Sequence, residues 1–224
     1  MELALRIAGA ALVAYLAGSI PWAVIVVRVF WHQDIRTLGS GNTGATNVLR
    51  VFGTVPGIGV LLLDGAKGAA GVWLASLLAP PGSSEAIISW FAVLGAIAAI
   101  GGHSFSPFIG FSGGKGVATA AGAILVLAPK AWPILLVVFL VAVALSRMVS
   151  VGSITLGVVF PGICWVVYPE RTALLVFAVL ASALVLWRHR SNMRRIANGT
   201  EPKVTFKRRL WDDMRSRGRG NGGE

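Results

Sequence analysis

The sequence predicts an all-α polytopic membrane protein with about seven transmembrane helices. Apolar residues make up 55% of the 224 residues and charged residues only 13%, which leaves too little polar surface to cover a soluble protein of this size. The apolar residues form repeated runs between short polar turns, which favours helices because backbone groups in lipid must satisfy one another within each segment. They do not alternate with polar residues, as the strands of a transmembrane barrel would.

The apolar runs define the predicted helices by their lengths and breaks. They cover residues 5–30, 51–79, 85–102, 116–128, 131–146, 151–167 and 171–187. The fourth run, of about 13 residues, is short for a membrane crossing by itself, so about five or six crossings also fit the pattern. The first run follows a weakly charged start and leads into further runs, so we expect a retained helix and not a signal peptide.

The distribution of cations predicts the orientation. Eleven of the 20 Lys and Arg residues lie within residues 188–219, and such residues are retained on the cytoplasmic side. This predicts a cytoplasmic C-terminus and, counting back through seven crossings, an N-terminus outside. We expect a membrane domain over residues 1–206 and, over residues 207–224, a basic, disordered cytoplasmic tail at the anionic leaflet.

Three polar segments interrupt the apolar runs. The first polar segment covers residues 39–50, the second residues 101–119 and the third residues 189–203. The predicted topology places all three on the cytoplasmic side, although hydropathy alone does not require this. A single site built from several helix ends is the simplest interpretation.

The first polar segment has the features of an anion-binding loop. It combines glycines, a helix predicted to begin near Ala45 and a cation at Arg50, and backbone amides of such a turn at a helix N-terminus bind anions. It lacks the spacing of a nucleotide-binding P-loop. The alternative is a glycine-rich interhelical turn with a capping Ser or Thr. Its polar side chains are those of Ser40, Asn42, Thr43, Thr46 and Asn47.

The second polar segment repeats this arrangement. Lys115 ends a glycine-rich loop and is followed directly by a predicted helix. A cation is poorly placed at a helix N-terminus, unless an anion lies between the two. We interpret His103, in the same segment, as a capping or packing residue.

The third polar segment predicts a row of donors. His189 and Asn192 are three residues apart, so on a continuing helix they share one face, with Arg195 next. We expect Glu201 to hold Arg195 or Lys203 in place.

Asp64 and Lys67 lie within the second apolar run, one helical turn apart. Ionisable residues inside the membrane are costly and are paired or functional. Two interpretations remain open: an internal ion pair, which we favour slightly, or a break in the helix that lines the site.

The sequence predicts no metal and no cofactor. Cys164 is the single cysteine, which excludes an intramolecular disulfide and a thiolate cluster. The three histidines, at positions 32, 103 and 189, lack metal-ligand spacing.

These residues closely resemble the three motifs of the bacterial acyl-phosphate:glycerol-3-phosphate acyltransferase family, and the resemblance covers about residues 5–204. The motifs are Ser40-Gly41-Asn42-x-Gly44-x-Thr46-Asn47-x-x-Arg50, Gly113-Gly114-Lys115-x-Val117-Ala118-Thr119, and His189-x-x-Asn192-x-x-Arg195-x-x-x-Gly199-x-Glu201-x-Lys203. Two shorter stretches also match, Gly18-Ser19-Ile20-Pro21 and Asp64-x-x-Lys67-Gly68.

The resemblance implies transfer of a fatty acyl group from acyl phosphate to the 1-hydroxyl of sn-glycerol 3-phosphate, the first step of phospholipid biosynthesis. The products are 1-acyl-sn-glycerol 3-phosphate (lysophosphatidic acid) and phosphate. It implies a multi-pass protein of the bacterial plasma (inner) membrane with its active site facing the cytoplasm. We expect membrane lipid but no nucleic acid as a partner, a monomer, and an association with the soluble enzyme that produces acyl phosphate.

The matching positions imply roles for individual residues. The catalytic group, which gathers the acyl-phosphate phosphate and the developing oxyanion, is Ser40, Arg50, Lys115 and His189. The substrate-binding group is Gly41, Asn42, Thr46, Asn47, Gly113, Gly114 and Asn192, with the amides near Gly113 and Gly114 orienting glycerol 3-phosphate. The supporting group is Asp64, Lys67, Arg195 and Glu201. The hydroxyl proton passes either to His189 or to a substrate phosphate.

Chemistry supports the same reaction, because an acyl phosphate has a good leaving group and needs neither a covalent nucleophile nor a metal. The chain has no H-x-x-x-x-D pair. The alternative function is a small membrane anion or phosphate transporter, which would place its site near the bilayer midplane between internal repeats. A phospholipid head-group transferase is disfavoured, because its aspartate-rich signature is missing.

Overall fold

The computed structural model describes residues 1–203, so the predicted basic tail at residues 207–224 lies outside the described residues. The described part is helical, with short 3-10 helices at Ile35–Thr37 and Pro107–Ile109. The α-helices are α1 (Glu2–Ser19), α2 (Trp22–Trp31), α3 (Ala45–Phe52), α4 (Thr54–Ser76), α5 (Glu85–Ser104), α6 (Val117–Leu127), α7 (Ala131–Ser146), α8 (Val149–Val167), α9 (Thr172–Arg188) and α10 (Arg190–Ala197).

Within residues 1–203, four helical stretches are long and apolar enough to cross a membrane, and the bent pair α9 and α10 is a fifth if counted as one span. The apolar helices α6 and α7 are shorter, with 11 and 16 residues. The chain is therefore a helical membrane protein. The predicted count of seven crossings and the orientation of the termini stay predictions. The four stretches are Glu2–Trp31, Thr54–Ser76, Glu85–Ile109 and Val149–Val167.

The first predicted helix is interrupted between α1 and α2 at Ile20 and Pro21. Proline lacks a backbone N–H and disfavours the helical conformation of the preceding residue, so backbone acceptors are left without helical partners. A side chain from α4 and one from the loop after α5 bond two of them. Lys67 Nζ donates to the carbonyl of Ile20 at 2.7 Å, and Ser106 Oγ donates to that of Ser19 at 2.6 Å.

The second predicted run is also divided. Its first residues belong to α3, which ends at Phe52, and α4 begins at Thr54. Gly53 joins the two helices with φ of 98°, a conformation that favours glycine. The second half of the first polar segment, from Ala45, therefore lies in a short helix of its own.

Small residues let the central helices approach closely, as is common in membrane proteins. Between α4 and α6, a Cβ at Gly68 would meet the backbone of Thr119, and a Cβ at Gly122 would meet the backbone of Gly65. α4 also packs against α5, where Gly95 lies against the backbone of Gly71. These contacts fix the start of α6, and the loop before it, against α4.

We expect Gly68→Ala to destabilise the protein by about 1–3 kcal/mol, because overpacking forces the two backbones apart. Gly59→Ala is the matched control, since a Cβ there meets nothing within 4 Å. It is expected to be neutral or slightly stabilising. Thermal unfolding in detergent compares the two variants, and a Gly68→Ala protein as stable as Gly59→Ala would contradict the close approach.

Candidate active site

The second and third polar segments meet through a chain of side-chain contacts. Lys115 Nζ, in the loop before α6, donates to Asn192 Oδ1 on α10. Asn192 Nδ2 donates to Glu201 Oε1 at 2.7 Å, and Arg195 Nε donates to Glu201 Oε2 at 2.7 Å. Glu201 therefore holds Arg195, one of its two predicted partners, and Lys203 is exposed.

The helix predicted to continue through His189 ends there instead. α9 ends at Arg188, α10 begins at Arg190, and the two axes differ by 55°. The buried His189 imidazole lies at this bend with Nδ1 2.8 Å from the carbonyl of Val185. Because a carbonyl only accepts, the neutral ring carries its proton on Nδ1 and leaves Nε2 free to accept one.

The glycine-rich loop of the second polar segment is held by backbone bonds. The N–H groups of Gly113 and Gly114 donate to the carbonyls of Ser104 and His103, each at 3.1 Å. These two N–H groups are therefore engaged within the protein, and the role of the amides near Gly113 and Gly114 in orienting glycerol 3-phosphate stays a prediction. A Cβ at either glycine would collide with His103, so the loop lies directly on the end of α5.

Arg188 was not among the site residues predicted from the sequence. Its guanidinium group donates to the carbonyls of Gly113 at 2.6 Å and Gly114 at 3.1 Å, and it lies 5.4 Å from the centre of the Phe105 ring. Its position next to the His189 motif was the only sequence signal. Arg188 thus ties the end of α9 to the loop that carries Lys115.

Lys115 lies among cations. Burial lowers the pKa of its ammonium group to about 8, and the carboxylate of Glu201 opposes this shift. Three guanidinium groups lower the pKa further, those of Arg195, Arg188 and Arg50. Arg50, on α3 of the first polar segment, is near enough for its charge to act on Lys115. An anion bound here would relieve the mutual repulsion of these groups.

The first polar segment is organised by Asn47. Its side-chain Nδ2 donates to the carbonyls of Leu38 and Asn42, each at 3.0 Å, and its Oδ1 accepts from the Ser40 N–H at 2.9 Å. Because this amide is buried and engaged, we assign Asn47 to loop structure and not to substrate binding. The predicted start of α3 at Ala45 is confirmed.

The other predicted site residues of the first polar segment are accessible. Ser40, Gly41 and Arg50 are exposed, and Asn42 and Thr46 are half-buried. Their predicted roles stay predictions, with side chains available to a bound molecule.

Asp64 and Lys67 form the predicted internal ion pair. Lys67 Nζ lies 2.8 Å from Asp64 Oδ1, and α4 runs unbroken through both residues, so the alternative of a helix break is wrong. His103 Nδ1 on α5 lies 3.5 Å from the same Asp64 oxygen. All three side chains are at most 5% exposed. His103 thus joins a buried polar cluster as well as packing against Gly114.

An apolar groove of about 430 Å³ begins beside this polar site, between α4, α6, α7, α8 and α9. Its lining includes Val117 and Ala118, which follow the Lys115 loop, and Val185, whose carbonyl bonds His189. On its rim Leu62 is 66% and Leu125 is 50% exposed, so the groove opens towards the lipid. The sequence could not reveal it, because groove-lining and lipid-facing residues are equally apolar.

The helices define a membrane protein in which a polar, cation-rich site adjoins an apolar groove. The family model described as Glycerol-3-phosphate acyltransferase matches residues 8–199. The chain therefore belongs to the glycerol-3-phosphate acyltransferase family, as the motifs predicted.

Individual relatives and a solved structure support membership of the same family. Glycerol-3-phosphate acyltransferase of Synechococcus sp. (strain JA-3-3Ab) is 42% identical over 198 residues, which cover 87% of this chain and 92% of the relative. Glycerol-3-phosphate acyltransferase 2 of Moorella thermoacetica is 44% identical over 196 residues, covering 87% and 96%. The crystal structure of PlsY (YgiH), an integral membrane glycerol 3-phosphate acyltransferase, in its glycerol 3-phosphate form has a TM-score of 0.80 and 32% identity, covering 89% and 96%.

We expect Asp64→Asn to destabilise the protein by about 3–5 kcal/mol, because it leaves the Lys67 charge buried without its carboxylate. The matched control is Glu2→Gln, which breaks an exposed pair with Arg6 four residues along α1 and is expected to cost less than about 1 kcal/mol. Thermal unfolding midpoints in detergent would measure both. Equal midpoints for the two variants would contradict a structural role for the buried pair.

Proposed function

We propose that this protein transfers a fatty acyl group from acyl phosphate to the 1-hydroxyl of sn-glycerol 3-phosphate. One observation carries the proposal: the cation cluster around Lys115 adjoins the mouth of an apolar groove. An acyl phosphate has a charged phosphate at one end and a hydrocarbon chain at the other, and it matches both parts. Membership of the family supports glycerol 3-phosphate as the acceptor.

In this reaction the acceptor oxygen attacks the acyl carbonyl carbon, and the bond from that carbon to the phosphate oxygen breaks. The products are 1-acyl-sn-glycerol 3-phosphate and inorganic phosphate. We assign Arg50 and Lys115 to the phosphate and the developing oxyanion, where preorganised charge lowers the barrier. The Ser40 hydroxyl is assigned to the same phosphate. Arg188 is added as the residue that holds the Lys115 loop.

The acceptor hydroxyl proton has two candidate destinations, His189 Nε2 and a substrate phosphate oxygen. The bond from His189 Nδ1 to the carbonyl of Val185 favours the tautomer in which Nε2 is unprotonated. Asn192 is a positioning residue, because it bridges Lys115 and Glu201. Gly41, Asn42 and Thr46 remain assigned to substrate binding through the open part of their loop.

The proposed setting is the plasma membrane of a bacterium with the site on the cytoplasmic side. The clustering of cations in residues 188–219 supports this orientation. A monomer is sufficient, because all three polar segments belong to one chain. The basic tail at residues 207–224 is a candidate contact for the soluble enzyme that supplies acyl phosphate.

A transporter is less well supported. The Lys115, Asn192 and Arg188 contacts join loops at helix ends, whereas transport sites lie near the bilayer midplane at broken helices. The family match adds a second reason to prefer an acyltransferase.

The decisive experiment uses purified protein in detergent or lipid with labelled glycerol 3-phosphate and no added metal. Palmitoyl phosphate and palmitoyl-coenzyme A are compared as donors. Labelled lysophosphatidic acid with palmitoyl phosphate alone would support the proposal. Product with the coenzyme A ester alone would overturn the donor, and no product with either would overturn the reaction.

We expect Lys115→Ala and Arg50→Ala each to lower turnover by about 10²- to 10³-fold, because each removes a preorganised charge from the transition state. Lys130→Ala is the matched control, since Lys130 follows the far end of α6 and is exposed. Initial rates with saturating substrates measure the effect. Turnover of Lys115→Ala equal to that of Lys130→Ala would contradict the assignment.

We expect kcat/KM for acyl phosphate to fall about tenfold per pH unit above pH 8. Lys115 has a pKa of about 8, so the free enzyme carries the charge that binds phosphate below this pH and loses it above. Lys115→Arg keeps a charge at all these pH values, so this fall should be absent in that variant even if its rate is lower. The same fall in wild type and Lys115→Arg would assign the titration to another group.

A further inference from the structure

The lining of the apolar groove includes an aromatic side chain that is held in place by a hydrogen bond. Trp132 lies in the first turn of α7 and lines the groove together with residues of α6. Its indole Nε1 donates to the carbonyl of Ala121 on α6 at 3.1 Å. The indole therefore spans the space between the two helices and is held there by a directed bond as well as by packing.

The position of Trp132 along the groove is set by the helix geometry. Ala121 is four residues beyond Val117, the first residue of α6, which corresponds to about 6 Å along α6 at 1.5 Å per residue. The α6 lining begins at Val117, near Lys115, and ends at Leu125. A chain that enters beside Lys115 and follows α6 therefore meets the indole within the groove.

We propose that Trp132 limits the length of the acyl chain that the groove accepts. This inference rests on the proposed function, in which the donor phosphate lies at Lys115 and its chain follows α6. A longer chain must pass the indole or leave sideways into the lipid at the exposed rim. A smaller residue at position 132 opens the path between α6 and α7 and allows more methylene groups to be buried.

The test compares acyl phosphates in competition. Wild type, Trp132→Leu and Trp132→Phe receive equal amounts of myristoyl, palmitoyl, stearoyl and arachidoyl phosphate with glycerol 3-phosphate, and mass spectrometry measures the product ratios. Trp165→Leu is the matched control, because Trp165 on α8 is 62% exposed and does not line the groove. Trp132→Phe keeps an aromatic ring but lacks the N–H donor.

We expect Trp132→Leu to raise the arachidoyl to palmitoyl product ratio by about tenfold or more, because two or more additional methylene groups become buried. Trp132→Phe should give a smaller change in the same direction, and Trp165→Leu should keep the wild-type ratios. An unchanged ratio in an active Trp132→Leu enzyme would overturn the inference and leave the acyltransferase proposal intact. Loss of activity in Trp132→Leu with unchanged ratios in an active Trp132→Phe would also overturn it. A wild type inactive with every acyl phosphate would instead overturn the proposed function.

Discussion

The buried charge of Lys67 is the constraint on which much of the structure depends. An ammonium group inside the membrane is not hydrated, so its counter-charge and hydrogen-bond acceptors must come from the protein. Lys67 finds them in Asp64 and in the carbonyl of Ile20, which lies where Pro21 interrupts the helix. One side chain thereby joins α4 to the break between α1 and α2.

The same cluster reaches the active site through His103. Its ring lies near Asp64, and its backbone carbonyl accepts the N–H of Gly114. The loop that carries Lys115 is thus bonded to α5 at the point where α5 meets the buried pair. Arg188 binds the outward-facing carbonyls of that loop, so the loop is held from both sides. These contacts position the backbone that carries Lys115.

How much of the fold and of the site could be predicted depends on how far apart in the sequence the contacting residues lie. Local features were predictable: α3 begins after its glycine-rich turn, α6 begins after Gly116, and Asp64 pairs with Lys67 one turn away. The engaged amides of Gly113 and Gly114 were not predictable, because their acceptors lie about ten residues back in another element. The bend at His189 was not predictable either, because no proline or glycine lies at or near it.

The close contact between α4 and α6 also has a consequence for motion. At Gly68 and Gly122 the backbones of the two helices touch without an intervening layer of side chains, so α6 has no surface over which to slide and moves only together with α4. α10 is joined to the site mainly by polar side chains, through Asn192 and Glu201. The α6 side of the site is therefore held by packed backbone, whereas on the α10 side the contacts described here are side-chain hydrogen bonds, which are easier to rearrange.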